Sequence, residues 1–245
     1  MSFTLTNGLL GFKRNTVLDF TGSDHSGLFA QNLLTKPDDW YYRHNEITYS
    51  YNDHGHRCKN VKDLNFNNYI LFVGCSHSEG VGNKLEDTHP YLVSKELGMD
   101  YYNLSLGGSS GETMRHNLTV WLTKFPAPKY IVWQWSFANR FLVQAGNVYV
   151  TVGSWNQDKE LTKLLVQNAY SKIYSTRDSL IAEYLNQLQN SIPIIQFAYP
   201  QYSVPKNSSA IIMEEYIDFA RDDMHNGRLT HQKAAQVLVE KIINT

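Results

Sequence analysis

Tyr69-Ile-Leu-Phe-Val73 and the loop that follows it, Gly74-Cys-Ser76-His-Ser-Glu-Gly80, decide the fold class. The five residues before the loop are strand formers without polar alternation, which favours a strand buried on both faces. The glycines at the two ends of the loop favour a tight turn into a helix. A buried strand, a glycine turn and a helix together form the repeating unit of a parallel α/β sheet.

The same unit recurs along the chain. Further strands are predicted at 101–104, 130–135 and 192–198, and helices at about 90–97, 112–124, 159–189 (broken near Ser175) and 229–243. A β-hairpin is predicted within 137–155, turning at Ala145-Gly-Asn147. We therefore expect a three-layer α/β/α domain with a central, mostly parallel sheet, as in flavodoxin-like folds, plus this hairpin insertion.

The N-terminal residues lack this regularity. Residues 1–44 contain short apolar patches among Gly, Asn and Asp without a sustained period. They are predicted to form an irregular extension packed on a domain at 45–245, and such an extension could also dock on a protein partner.

Composition excludes several classes of protein. Lys and Arg number 22 against 23 Asp and Glu, a net charge of −1, so no global field favours nucleic acid or an acidic membrane. Two cysteines, Cys58 and Cys75, cannot build a disulfide framework. No signal-peptide pattern or bilayer-length apolar run is present. We expect a soluble protein made in the cytoplasm, without a nucleic-acid or membrane partner.

Three residues at predicted loop ends suit nucleophilic catalysis. Ser76 lies two residues past a buried strand, at a bend that exposes its hydroxyl. Asp222 and His225 are three positions apart, so the carboxylate can orient the imidazole. A serine hydroxyl needs such an oriented base before it becomes a good nucleophile. Each pattern alone also fits an ordinary turn; their combination predicts a Ser-His-Asp triad.

Other candidates are weighed beside the triad. Gly107 and Gly108 follow a predicted strand, where the Gly108 N–H can approach a substrate oxyanion. The same glycines also fit an ordinary turn between a strand and a helix. His77 flanks the nucleophile as a substrate contact or an ordinary surface residue. His54, His56 and Cys58 alternate and could share one strand face around zinc. Because no second ligand cluster accompanies these three residues, we expect neither a metal nor another cofactor.

With these residues in view, the chain resembles the SGNH hydrolases, the GDSL-type esterase superfamily. Gly74-Cys-Ser76-His-Ser-Glu-Gly80 is similar to the first block of that family, with Cys75 where Asp is usual. Gly108 matches the second-block glycine, five positions after Asn103, and Asp222 with His225 matches the last block. Segments 52–57 and 86–90 are similar to carbohydrate-esterase-like members. The similarity extends from about residue 45 to the C-terminus.

The third block departs from the family pattern. Family members carry Gly-x-Asn-Asp after the third strand, whereas this chain reads Ser136-Phe-Ala138-Asn139-Arg140. An ungapped match places Ala138 at the oxyanion asparagine. The resemblance implies either that a one-residue bulge brings in Asn139 or that Ser136 substitutes for it.

The resemblance implies a serine esterase that removes a short-chain acyl group, with O-acetyl on a saccharide as the expected substrate. One alternative is an O-acyltransferase that uses the same site. The other is an inactive SGNH-like binding or structural module, for instance in a phage particle. The last alternative would place a phage-encoded protein in the virion.

Overall fold

The computed structural model of the protein describes residues 2–145, 148–153, 168–202 and 204–245. The strands are β1 (Ser2–Thr6), β2 (Leu9–Gly11), β3 (Thr16–Leu18), β4 (Tyr49–Tyr51), β5 (Tyr69–Val73), β6 (Asp100–Asn103), β7 (Tyr130–Gln134), β8 (Phe141–Ala145), β9 (Val148–Val152), β10 (Ile194–Ala198) and β11 (Ile211–Ile212). The α-helices are α1 (Ser26–Thr35), α2 (Ser76–Glu79), α3 (His89–Leu97), α4 (Gly111–Lys124), α5 (Asn168–Leu188) and α6 (Arg228–Ile243).

The central sheet has five parallel strands in the order β11-β10-β7-β5-β6. In its middle, Leu71 of β5 pairs with Ile131 of β7 on one side and with Tyr102 of β6 on the other. Two helix pairs flank the sheet: α3 packs against α6, and α4 packs against α5. The predicted three-layer α/β/α class is therefore confirmed.

The core explains why β5 lacks polar alternation. All five β5 residues are buried, because helices cover both faces of the strand. Trp121 of α4 and Trp133 of β7 are also fully buried, and the Trp121 indole N–H donates to the Tyr69 hydroxyl at 3.0 Å. The loops at the carboxyl edge of the sheet are thus attached to a fully buried core.

Residues 1–44 differ from the irregular extension expected from sequence. Residues 2–44 contain β1 to β3 and α1. β1 pairs locally with β2, and β1 and β3 also pair with strands far along the chain. Ser2 of β1 pairs with Val150 of β9, which joins the N-terminus and the hairpin into one four-stranded sheet, and Thr16 of β3 pairs with Tyr51 of β4. Strands of three to five residues completed by remote partners carry too little periodicity to be recognised locally.

Two other local predictions can be compared with the structure. The hairpin arms are confirmed as the antiparallel pair β8 and β9, whereas Gly146 and Asn147 of its turn lie outside the described residues. Helix α5 continues through Ser175, so the predicted break there is wrong. A lone serine without glycine or proline does not end a helix. The predicted helical stretch 159–167 lies outside the described residues.

The helices are short or polar for a membrane-spanning segment. Within the described ranges, none of them has both the length and the apolar character that a bilayer crossing requires.

Candidate active site

Ser76 is placed by the turn between β5 and α2. It is the first residue of α2, and Cys75 before it has extended backbone. Gly74 allows the turn to close, because a Cβ there would lie only 2.6 Å from the Ser78 hydroxyl and 2.9 Å from the Gln134 side-chain oxygen. The loop therefore holds Ser76 at the carboxyl end of β5, an interior strand, at the edge where parallel sheets bind ligands.

The structure brings the three predicted triad residues together. Ser76 Oγ lies 2.7 Å from His225 Nε2, although the two residues are 149 positions apart. His225 Nδ1 lies 2.6 Å from Asp222 Oδ2. Because Nδ1 donates its proton to the carboxylate, Nε2 is left as the acceptor of the Ser76 hydroxyl proton. This is the arrangement that general-base activation of a serine requires.

The charge of Asp222 is maintained although the residue is buried. Burial alone would raise the pKa of this carboxyl, but hydrogen bonds from His225 and Ser23, together with the charge of His225, hold it well below its usual value. Two backbone N–H groups, those of Met224 and His225, donate to the other carboxylate oxygen at 3.2 and 3.1 Å. Asp222 therefore keeps its negative charge beside the His225 ring.

The loop that carries Asp222 rests on the segment after α2. Arg221 N–H donates to Gly82 O at 3.0 Å. Gly82 has a φ of +78°, and a Cβ there would lie 2.6 Å from the Ala220 Cβ. The close approach of these two segments holds the loop that carries Asp222 and His225 beside the segment that follows Ser76.

Sequence reasoning missed Ser23. Its hydroxyl donates to Asp222 Oδ2 at 2.6 Å and lies 3.3 Å from His225 Nδ1. The neighbouring Asp24 forms a buried ion pair with Arg221, Nη2 to Oδ2 at 2.7 Å. Only long-range contacts bring these residues to the site, so the one local signal was a polar Gly22-Ser-Asp24 turn.

His77 lies behind the His225 ring rather than at the surface. Its side chain is buried, its ring centre is 4.7 Å from that of His225, and its Nδ1 donates to the Asn226 side-chain oxygen. Burial and the charge of His225 lower the pKa of His77 well below its usual value. A neutral, buried imidazole at this place packs against His225, which favours a supporting position over substrate contact.

Several backbone N–H groups near Ser76 are available to an oxyanion. Among the described residues, no acceptor takes the N–H of Ser76 or His77, whereas Ser78 N–H donates to Gln134 at 3.1 Å. Gly108 has a φ of +75°, and its N–H likewise has no acceptor in that part of the chain. The role of Gly108 as an oxyanion donor stays a prediction that this geometry permits.

The third-block residues have different surroundings. Asn139 forms a half-buried turn with Ala138 after β7, and within the described residues its amide makes no hydrogen bond. Ser136 is buried, donates to Ser109 O at 2.9 Å and accepts from Arg140 Nη1 at 3.1 Å. The Ser136 hydroxyl thus joins the loop after β7 to the loop after β6. The role of Asn139 at the oxyanion stays a prediction.

The three residues considered for zinc are hydrogen-bonded separately. His56 lies between the Tyr102 hydroxyl and Leu10 O, at 3.2 and 3.1 Å, and Cys58 Sγ accepts from Asn103 N at 3.4 Å. His54 pairs with Asp53 at 2.9 Å. No group of three or more His, Cys, Asp or Glu side chains within the described ranges is arranged to hold a metal.

Comparisons with known proteins are limited to fold similarity. No protein-family model matches the sequence, and no curated protein matches it either. Among solved structures, a carbohydrate esterase aligns with 73% of this chain and 65% of its own, at 12% identity and a TM-score of 0.46. An acetyl xylan esterase from the rumen bacterium Butyrivibrio proteoclasticus aligns with 76% and 65%, at 16% identity and a TM-score of 0.48. The psychrotrophic esterase EstA from Pseudoalteromonas sp. aligns with 73% and 100%, at 13% identity and a TM-score of 0.44. This chain spans 65% of the length of each of the first two proteins.

Proposed function

We propose that the protein is an SGNH-type serine esterase that hydrolyses a short-chain acyl ester, with O-acetyl on a saccharide as the substrate class. One observation carries this proposal: Ser76 Oγ, the His225 ring and the Asp222 carboxylate form a continuous chain of hydrogen bonds of 2.7 and 2.6 Å. The low pKa of Asp222 supports it further, since an ionised carboxylate is what a protonated imidazole needs as a partner.

The reaction follows from the roles of these atoms. His225 Nε2 takes the Ser76 proton as Oγ bonds to the ester carbonyl carbon, and Asp222 stabilises the imidazolium. The tetrahedral intermediate collapses when His225 returns that proton to the leaving alcohol, which breaks the ester bond. Water then attacks the acyl-serine with His225 again as base, which releases the carboxylic acid and restores Ser76.

The oxyanion donors in this proposal are the N–H groups of Ser76 and Gly108, with the Asn139 side chain as a third. The two N–H groups have no acceptor among the described residues, so binding an oxyanion would displace no protein hydrogen bond. Removing one such donor typically costs about 3–4 kcal/mol of transition-state stabilisation.

An exposed aromatic ring supports a saccharide as the alcohol part of the ester. Phe219 lies three residues before Asp222, is 48% exposed, and stacks on Tyr216 with ring centres 5.8 Å apart. Tyr216 in turn packs near His77, at 6.2 Å between ring centres, and the His77 ring lies 4.7 Å from that of His225. A flat apolar ring at this edge can contact the apolar face of a sugar.

The test is hydrolysis of p-nitrophenyl acetate by the wild type, Ser76→Ala and His225→Ala, with exposed Ser50→Ala as the matched control. We expect both site variants to lose at least about 1,000-fold in kcat/KM and Ser50→Ala to be unchanged. Equal rates in all four proteins would refute the proposed triad.

The same preparation separates the two alternatives. Acetyl transfer to an added saccharide in preference to water would identify an acyltransferase, whereas hydrolysis unaffected by the saccharide supports the esterase. A folded wild type that neither hydrolyses nor transfers acetyl would favour the binding or structural module.

A further inference from the structure

A turn near the N-terminus reaches the Asp222 end of the triad. Thr21 and Asp24 close this turn by mutual backbone hydrogen bonds of 2.9 and 3.1 Å, with Ser23 between them. The Ser23 hydroxyl donates to Asp222 Oδ2 at 2.6 Å, the same oxygen that accepts from His225 Nδ1 at 2.6 Å. Ser76, His225, Asp222 and Ser23 thus form one continuous hydrogen-bonded series.

The turn is held in place by a buried ion pair. Asp24 is 1% exposed and pairs with Arg221, the residue immediately before Asp222, through Nε at 2.9 Å and Nη2 at 2.7 Å. The Tyr49 hydroxyl also donates to the Asp24 carboxylate. Asp24 follows Ser23 and Arg221 precedes Asp222, so this ion pair holds Ser23 next to Asp222.

Helix α1 and the residue after it provide a second attachment. The Asn32 side chain donates to Arg221 O at 2.8 Å, and Lys36 Nζ lies 2.6 Å from Asp223. Asp223 has a φ of +56°, a conformation that a non-glycine residue adopts only when its surroundings hold it. Residues 19–36, which we name the N-terminal clamp, therefore contact three consecutive residues of the catalytic loop, 221 to 223.

We propose that Ser23 is a positioning residue of the active site: its hydroxyl fixes the Asp222 carboxylate in the orientation that the His225 ring needs. This inference rests on the proposed esterase function. A hydroxyl that donates to an anionic oxygen makes one of the stronger hydrogen bonds in proteins, and it also reduces the negative charge facing the imidazole. Ser23 then affects catalysis through Asp222.

The groups around His225 allow the pH dependence to be assigned. Besides Asp222, three titratable groups interact with the charge of His225: His77, His231 and Glu79. Burial lowers the pKa values of the two histidines, which keeps them neutral, and burial raises the pKa of Glu79. Arg140, which acts on His77, is permanently charged. Removing the Ser23 hydroxyl alters none of these groups directly.

The experiment compares Ser23→Ala and Ser23→Thr with Ser26→Ala, the same change at an exposed position of the clamp. In Ser23→Ala we expect kcat for p-nitrophenyl acetate to fall by roughly tenfold with little change in KM. The acid limb of the kcat/KM profile should move to higher pH, because the carboxylate then carries more negative charge against the imidazolium. Ser23→Thr retains the hydroxyl and should restore both properties.

A measurement without substrate separates this inference from the proposed function. The NMR signal of the His225 Nδ1 proton should shift in Ser23→Ala and stay near its wild-type position in Ser23→Thr and Ser26→Ala. If the wild type proves inactive but the signal shifts in this way, the function fails and the positioning role stands. Unchanged kcat, pH profile and NMR signal in Ser23→Ala would overturn the inference.

Discussion

The ion pair between Asp24 and Arg221 gives the sharpest prediction about stability. The two side chains are 1% and 4% exposed and are joined by contacts of 2.7 and 2.9 Å. Asp24→Asn keeps the size of the side chain but leaves the guanidinium buried without its counter-charge. Breaking one partner of a buried pair costs about 3–5 kcal/mol. For a domain of this length that corresponds to a fall in Tm of roughly 6–20 °C.

The assay is thermal unfolding followed by circular dichroism at pH 7. Asp19→Asn is the matched control, because Asp19 lies in the same clamp, is exposed, and makes no ion pair within the described residues. We expect Asp19→Asn to unfold within about 2 °C of the wild type, since changes at exposed positions cost about 0.5 kcal/mol or less. Equal Tm values for the two variants would refute the view that this ion pair anchors the catalytic loop.

Three further predictions concern buried thiols, pH and substrate class. Burial raises the pKa of Cys58 to about 12, so iodoacetamide at pH 8 should leave Cys58 unmodified in the folded protein and modify it in urea; rapid labelling of the folded chain would contradict this. Burial lowers the pKa of His56 and of His89 to about 3, so between pH 6.5 and about 3 the unfolded chain binds more protons. The free energy of unfolding should therefore fall as the pH falls through this window, by about 1.4 kcal/mol per pH unit for each histidine. A free energy of urea unfolding that does not change with pH in this range would contradict the prediction. Phe219→Ala should raise KM several-fold for an acetylated saccharide but not for p-nitrophenyl acetate, with exposed Val17→Ala unchanged; equal effects on both substrates would exclude a sugar contact.

The part of the site predicted from sequence consists of residues whose position follows from a local pattern. An apolar run and a glycine turn place Ser76 at the end of β5, and a spacing of three places Asp222 beside His225. The rule that parallel strands present their carboxyl ends at one edge then brings these loops together. Such residues can be predicted because one short stretch determines each local geometry.

Ser23 could not be predicted in this way. Its partner lies 199 positions away, and no periodicity in residues 1–44 indicates which segment they contact. β1 and β2 pair with each other, but the pairing of β1 with β9 and of β3 with β4 joins the region to the rest of the chain. Docking of residues 1–44 on a separate protein and association with a virion stay predictions.

His77 shows a different reason for the limits of sequence reasoning. The sequence predicts a surface position or a substrate contact for His77 equally well. In the structure, the first turn of α2 directs His77 into the interior against Tyr199 and His225. Burial depends on what the other loops place over a residue, here the segment around Asn226.

The central claim is that Ser76 is a nucleophile activated by His225. A fluorophosphonate probe tests it most directly, because the probe forms a covalent bond only with an activated serine hydroxyl, and mass spectrometry identifies the modified residue. We predict one labelled site at Ser76 in the folded wild type, and no label in Ser76→Ala or His225→Ala. Absence of label in the folded wild type, or label that persists in Ser76→Ala, would contradict the account.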